Sequence, residues 1–223
     1  MENLDKHKNN ESETLENVKQ KKLENDQFTS DKIEFSELIK TRQSVRKYQD
    51  KPVEKEKLRK LIESVRLAPS ASNSQPWKLI LVYEPKLKNK VAKATFSILV
   101  PFNKFALKAP VIAVLTIEKS KFVTEIGSIL KKREFSLIDI GIAAEHFCLQ
   151  AAELGLGTCM LGWFDEKPIK KLLKIPQKIR IGLVISLGYA KEGYPLRKKI
   201  RKDIKVMSSF NGYYGPNTQN GTD

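Results

Sequence analysis

The stretch Ala68-Pro69-Ser70-Ala71-Ser72-Asn73-Ser74-Gln75-Pro76-Trp77 joins an amphipathic helix to an apolar strand. It is a run of small and amide side chains, closed by Pro and a large aromatic. Small residues let a backbone come close to a flat ligand. Ser and Asn side chains close local turns and leave N–H groups for a guest. Gln75 precedes Pro76 and is expected to be extended, so the following strand should start there. Taken alone, turn chemistry reads the stretch as a polar helix-to-strand loop.

A second segment lies upstream, Thr41-Arg42-Gln43-Ser44-Val45-Arg46-Lys47-Tyr48. It sets cations at Arg42 and Arg46 with a hydroxyl between them. Together the two segments resemble the FMN-dependent nitroreductase family, whose motifs read R-x-S-x-R/K and P-S-x-x-N-x-Q-P-W. The resemblance covers Phe35 to Met207.

The chain has 223 residues, is 40% hydrophobic and fits one domain with a sizeable core. No stretch approaches the roughly 20 apolar residues of a membrane span. The N-terminus lacks the apolar core of a secretory signal. Cys148 and Cys159 are the only cysteines and lack C-x-x-C spacing, which argues against a disulfide scaffold or zinc site and for a reducing cytoplasm. The net charge is +15, unevenly placed: residues 1–40 hold 7 Lys/Arg against 10 Asp/Glu, and the remainder 34 against 16. Such a surface could attract nucleic acid or anionic membrane. The lysines are scattered and lack interleaved aromatics for stacking bases, so neither partner is expected.

Residues 1–31 read as a mobile polar leader, 32–207 as the folded domain and 208–223 as a C-terminal tail. Phe35, Leu38 and Ile39 mark a short helix ending near Arg42–Ser44. A helix opens at Pro52-Val53-Glu54 and shows Leu58, Leu61, Ile62 and Val65 on one face. Strands are expected over Lys78–Tyr83, Val111–Ile117, Thr158–Leu161 and Arg180–Tyr189, with helices over Pro85–Ala94 and Asp165–Lys174. The longest helix, Ser136–Leu154, is apolar nearly all round, as befits a central helix often shared with another subunit. Gly155 should cap it in the left-handed region. Asp139, Glu145, His146 and Glu153 on it are read as groups of the less buried arc or partners of neighbours. Residues 118–135 correspond to a region that often forms a lid in the family.

Strands alternating with helices suggest, on pattern alone, an open α/β sheet. The resemblance implies instead an α+β fold, a nitroreductase-like mixed sheet flanked by helices in an intertwined homodimer. It further implies FMN as cofactor and NADH or NADPH as transient reductant. Arg42, Ser44 and Arg46 would then serve the phosphate, ribityl chain and pyrimidine edge. The bland alternative is an exposed pair of arginines four apart, which repel slightly. Pro69, Ser70, Ala71 and Asn73 would lie against the flavin from the partner subunit. Ala71 stands where the family often has Ser. Gln75 and Trp77 would support the loop. Met160, Leu161 and Gly162 would pass beside the flavin ring and N5. Lys199 and Arg201, in the basic run Arg197–Lys202, would return to the phosphate.

Gly155-Leu156-Gly157 is no dinucleotide fingerprint, because it follows a helix and Met160 stands at the third glycine position. The implied activity is hydride transfer from NADH or NADPH through the flavin to a nitroaromatic, quinone or related acceptor by a ping-pong mechanism, with no catalytic side chain required. Two alternatives are a specialised substrate, as in dehalogenation or flavin breakdown, and a non-catalytic flavin-binding protein.

Overall fold

The computed structural model describes residues 33–118 and 134–215. The leader, most of the expected lid and the end of the tail lie outside the described residues. The chain divides into two units, Met1–Ile39 and Lys40–Asp223. Six α-helices are described: α1 (Phe35–Thr41), α2 (Lys55–Arg66), α3 (Pro85–Lys93), α4 (Phe135–Glu153), α5 (Glu166–Leu173) and α6 (Ile204–Met207). Four strands accompany them: β1 (Trp77–Val82), β2 (Val111–Ile117), β3 (Gly157–Leu161) and β4 (Arg180–Gly188). Short 3-10 segments cover Ala71–Asn73 and Pro101–Lys108.

The strands form one sheet in the order β1-β2-β4-β3. Every neighbouring pair is antiparallel. This corrects the open α/β sheet that the alternating pattern suggested. A buried apolar run such as β2 reports burial on two faces and says nothing of direction. A parallel pairing enters at one place, the bridge between Ser44 and Thr158 at the outer edge of β3. The result is the α+β arrangement, helices flanking a sheet on both faces.

β2 shows why both faces must be covered. Val111, Ala113 and Leu115 pack with Leu58, Leu61 and Val65 of α2 and with Ile140, Ala143, Ala144 and Phe147 of α4. Ile112 and Val114 point the other way, to Val91 and Ala92 of α3 and Ile169 of α5. The alternation is the period of two that a strand imposes. β4 accommodates a bulge: Leu115 pairs with Leu183, but Thr116 pairs with Ile181. Gly182 is the extra residue. A Cβ there would meet Ile117 at 3.1 Å and Ile140 at 3.2 Å, so a small residue lets α4 lie close to the sheet.

Several boundaries follow local chemistry. Asp165 caps α5 through the N–H of Lys167, as expected. Gly155 ends α4 with φ +71. Glu84 caps α3 by accepting from Lys86 and Leu87, with Pro85 in the first turn. Glu54, expected in the first turn of α2, is instead its N-cap without a side-chain cap bond, and its carboxylate accepts from the Tyr189 hydroxyl. Gln75 departs from the extended geometry expected of a residue before proline: its φ is +46, and β1 starts at Trp77. The Ser70 hydroxyl accepts the Gln75 N–H at 2.9 Å and helps hold that conformation.

Candidate functional site

Residues 42–49 form an extended arm. At one edge Ser44 bridges Thr158 of β3, and the Val45 N–H donates to Thr158 at 2.8 Å. Gly157 makes this approach possible, since a Cβ on it would fall 2.5 Å from Val45 Cγ2. At the other edge runs the chain after β4. Tyr48 bridges Ala190, Lys191 donates to Lys47, and the Arg197 N–H donates to the Gln43 side chain at 3.0 Å. The Arg46 N–H donates to the Tyr194 hydroxyl at 3.2 Å. The segment after β4 is therefore placed by hydrogen bonds to the arm, a pattern invisible to hydropathy.

This pairing delivers Lys199 to Arg42. The Lys199 ammonium donates to the Arg42 carbonyl. Desolvation, then the Arg42 and Arg201 charges, hold its pKa below the ordinary lysine range, while Glu145 opposes them. Lys199 is thus brought to Arg42 and feels the charge of Arg201, whose own guanidinium donates to the Ile200 carbonyl at 2.8 Å. Arg42 Nε lies 3.2 Å from Glu145 Oε1. The approach is an ion pair rather than a hydrogen bond, since that buried nitrogen has no aligned acceptor among the described residues. Arg46 diverges from the three, with its guanidinium 6.0 Å from the Phe105 ring.

β3 ends beside the arm. Leu161 is buried and packs inward, whereas Met160 and Gly162 are exposed. Open space surrounds the place of a Gly162 Cβ. Trp163 and Phe102 stand edge to face at 6.4 Å, and Asn103 donates to the Trp163 carbonyl at 3.2 Å. These aromatics form a rim that the sequence reading did not assign.

The Pro69–Asn73 turn stands apart from the cations. Ser72 and Asn73 both have φ +52. The Gln75 amide donates to the Asn73 side chain at 3.0 Å, so Gln75 does brace the turn. The turn is tied to α4 where Asp139 Oδ1 accepts the Ala71 N–H at 3.1 Å. Glu145, the ion-pair partner of Arg42, lies six residues further along that helix, roughly 9 Å of rise. Within one chain the two halves of the expected site are held at different levels of α4. Of the two readings given to Asp139, the structure favours a partner of a neighbour over the less buried arc: it is buried and accepts the Ala71 N–H, and the near-uniform apolarity of the helix hid its buried side. His146 contacts the Ile142 carbonyl of its own helix at 3.0 Å.

Other reactive groups are withdrawn from chemistry. Burial pushes the Cys148 thiol up to about 12 and raises Cys159 as well. Burial also raises the Tyr48 phenol far above its ordinary value; its hydroxyl bonds Ser186 and the Val45 carbonyl. No group of three or more metal-ligating side chains occurs among the described residues. The arrangement offers cations for an anion, exposed backbone at the end of a strand and neighbouring exposed aromatics.

The model of the nitroreductase family matches residues 39–189. Among solved structures, the chain is 35% identical to a nitroreductase family protein from Clostridium novyi NT, covering 72% of this chain and 87% of that one, with a TM-score of 0.63. It is 30% identical to a nitroreductase family protein from Clostridium difficile 630, over 81% of this chain and 99% of the other, with a TM-score of 0.68. An FMN-dependent nitroreductase from Clostridium difficile R20291 is also 30% identical, over 79% and 98%, with a TM-score of 0.63. By motif, topology and these likenesses, the chain belongs to the nitroreductase family.

Proposed function

We propose that this oxidoreductase holds FMN and passes reducing equivalents from NADH or NADPH to a nitroaromatic, quinone or related acceptor. The observation that carries the reading is the meeting of Lys199 with Arg42, delivered from two distant parts of the chain, with the charge of Arg201 felt there. Glu145 offsets only part of these three charges, and the excess suits a further anion such as a phosphate monoester. The name of the FMN-dependent relative at 30% identity supports the same cofactor.

The residues fit the group. Arg42, Lys199 and Arg201 would take the phosphate. Ser44 and Arg46 would follow the ribityl chain and pyrimidine edge. Met160, Leu161 and Gly162 would pass the ring, with Gly162 allowing close approach of backbone. Pro69, Ser70, Ala71 and Asn73 would come from the partner subunit, since within one chain they stand at another level of α4. When bound, FMN supplies the redox chemistry, accepting a hydride equivalent at N5 and releasing it to the acceptor. The protein's part is to bind, orient and wall the site.

A homodimer is part of the reading. Leu137 and Ile138 of α4 are exposed, as are Ile200, Val206 and Met207 of the tail. Apolar surface on a central helix and on a wrapping tail suits a partner copy. No helix among the described residues is long and apolar enough to cross a membrane. Both cysteines are free and buried, which suits the reducing cytoplasm read from the sequence.

The test is direct. The purified protein should be yellow, release FMN on heating, and lose its flavin absorbance when NADH or NADPH is added without oxygen. Initial rates at several acceptor concentrations should give parallel double-reciprocal lines. Release of FAD, or no flavin even after reconstitution, would overturn the cofactor. Intersecting lines would overturn the ping-pong order.

A further inference from the structure

Asp139 has no part in the chemistry described so far, yet it is a carboxylate only 3% exposed. Its Oδ1 accepts the Ala71 N–H at 3.1 Å. Its Oδ2 is buried with no partner among the described residues. Enclosing a carboxylate is costly, and this one ties α4 to a turn. The turn needs holding. Ser72, Asn73 and Gln75 all have φ between +46 and +52 within four residues. Left-handed backbone outside glycine persists only where its surroundings impose it. Other bonds lie inside the turn itself: Asn73 N–H to the Ser70 carbonyl, Ser74 N–H to the Ala71 carbonyl, Gln75 N–H to Ser70 Oγ and the Gln75 amide to Asn73. They shape it but do not anchor it to the body of the protein.

We propose that Asp139 is a positioning residue, whose carboxylate holds the 71–75 turn, through the Ala71 N–H, in the left-handed shape that meets the flavin. The hold on the turn stands on the geometry alone; the contact with flavin rests on the function proposed above.

Three variants test it. Asp139→Ala removes the acceptor. Asp139→Asn keeps an oxygen for Ala71. Ala71→Pro removes the donor and leaves the carboxylate in place. Ser70 is already extended, at φ −147 and ψ 157, as a residue before proline should be, and position 71 opens a 3-10 turn where proline is tolerated. Ala71→Pro therefore deletes one N–H with the backbone path retained, and covers the case in which Asp139→Ala fails to fold.

Amide exchange over residues 71–75 should speed up by about tenfold or more in flavin-free Asp139→Ala, with the sheet unchanged, and FMN affinity should fall by a similar factor. Asp139→Asn should stay within about threefold of wild type on both counts. Ala71→Pro should lose FMN affinity like Asp139→Ala, and the double variant should be no worse than either single one. Unchanged exchange and affinity in Asp139→Ala, or losses that add in the double variant, would overturn the proposal. If the wild-type protein binds no flavin, the functional reading fails, while the exchange measurement still decides whether Asp139 holds the turn.

Discussion

Arg42, Lys199 and Arg201 carry positive charge that Glu145 offsets only in part, and on the proposed function that sets what single substitutions should do. Losing a charge-assisted contact costs on the order of 1.5–3 kcal/mol, so Arg42→Ala should weaken FMN roughly 10- to 150-fold. Riboflavin lacks the phosphate, and its affinity should not move. Titration of both ligands by flavin fluorescence checks the split. The pH dependence follows from the same cluster. Desolvation and the neighbouring Arg42 and Arg201 charges lower the Lys199 pKa, so its positive charge is lost at a lower pH than for an ordinary lysine. FMN affinity should rise as the phosphate becomes dianionic near about pH 6, then fall as pH climbs through the Lys199 pKa. Lys199→Met should abolish the alkaline fall, and riboflavin should show none. Gly157 makes a separate case. A Cβ there meets Val45 at 2.5 to 2.9 Å, and Val45 adjoins the Ser44 bridge. Gly157→Ala should cost about 1–3 kcal/mol by overpacking and weaken FMN by displacing the arm. Adding Val45→Ala should restore part of both losses, measured by urea unfolding and flavin titration.

The elements divide between those the sequence spells out and those set by packing. α2 was legible because Leu58, Leu61 and Val65 repeat on one face and are buried, whereas Ile62, read on the same face, lies at its exposed margin. Leu61 is fully enclosed between α2 and the sheet, so Leu61→Ala should lower unfolding free energy by about 2–5 kcal/mol. The start of α3 rests on Glu84, whose pKa is lowered by the backbone N–H groups of Leu87 and then Lys86. A carboxylate lowered on folding stabilises above its unfolded value of about 4.3 and loses that effect as pH falls through the folded value. The Tm gap between wild type and Glu84→Gln should therefore be widest near neutrality and close in acid. The four strands were legible as apolar runs, but their antiparallel order was not, since direction depends on where the long connections travel. The arm and tail were legible only as motifs: Arg42, Ser44 and Lys199 carry no periodicity, and backbone pairing joins them. The burial of Asp139 was hidden because it follows from a contact made across the fold, and the positive φ of Gln75 because the turn's own bond to Ser70 overrides the usual preference before proline.

As a whole molecule, one chain holds the two parts of the proposed site against a single helix. Asp139 ties the Pro69–Asn73 turn, and Glu145 pairs with Arg42 of the cationic cluster. If each flavin sits between the cluster of one subunit and the turn of another, two copies yield two complete sites, and folding, pairing and cofactor loading depend on one another. Removing residues 202–223 should then loosen the dimer with Lys199 and Arg201 still present, whereas removing 196–223 should also abolish FMN retention. Light scattering and flavin absorbance on each truncation separate the two effects. The most direct measurement joins mass to cofactor in the full-length protein: size-exclusion chromatography with in-line light scattering and flavin absorbance at micromolar concentration. A dimer carrying two FMN molecules, with any monomer fraction free of flavin, is the predicted result; a monomer that elutes with a full complement of FMN would contradict it.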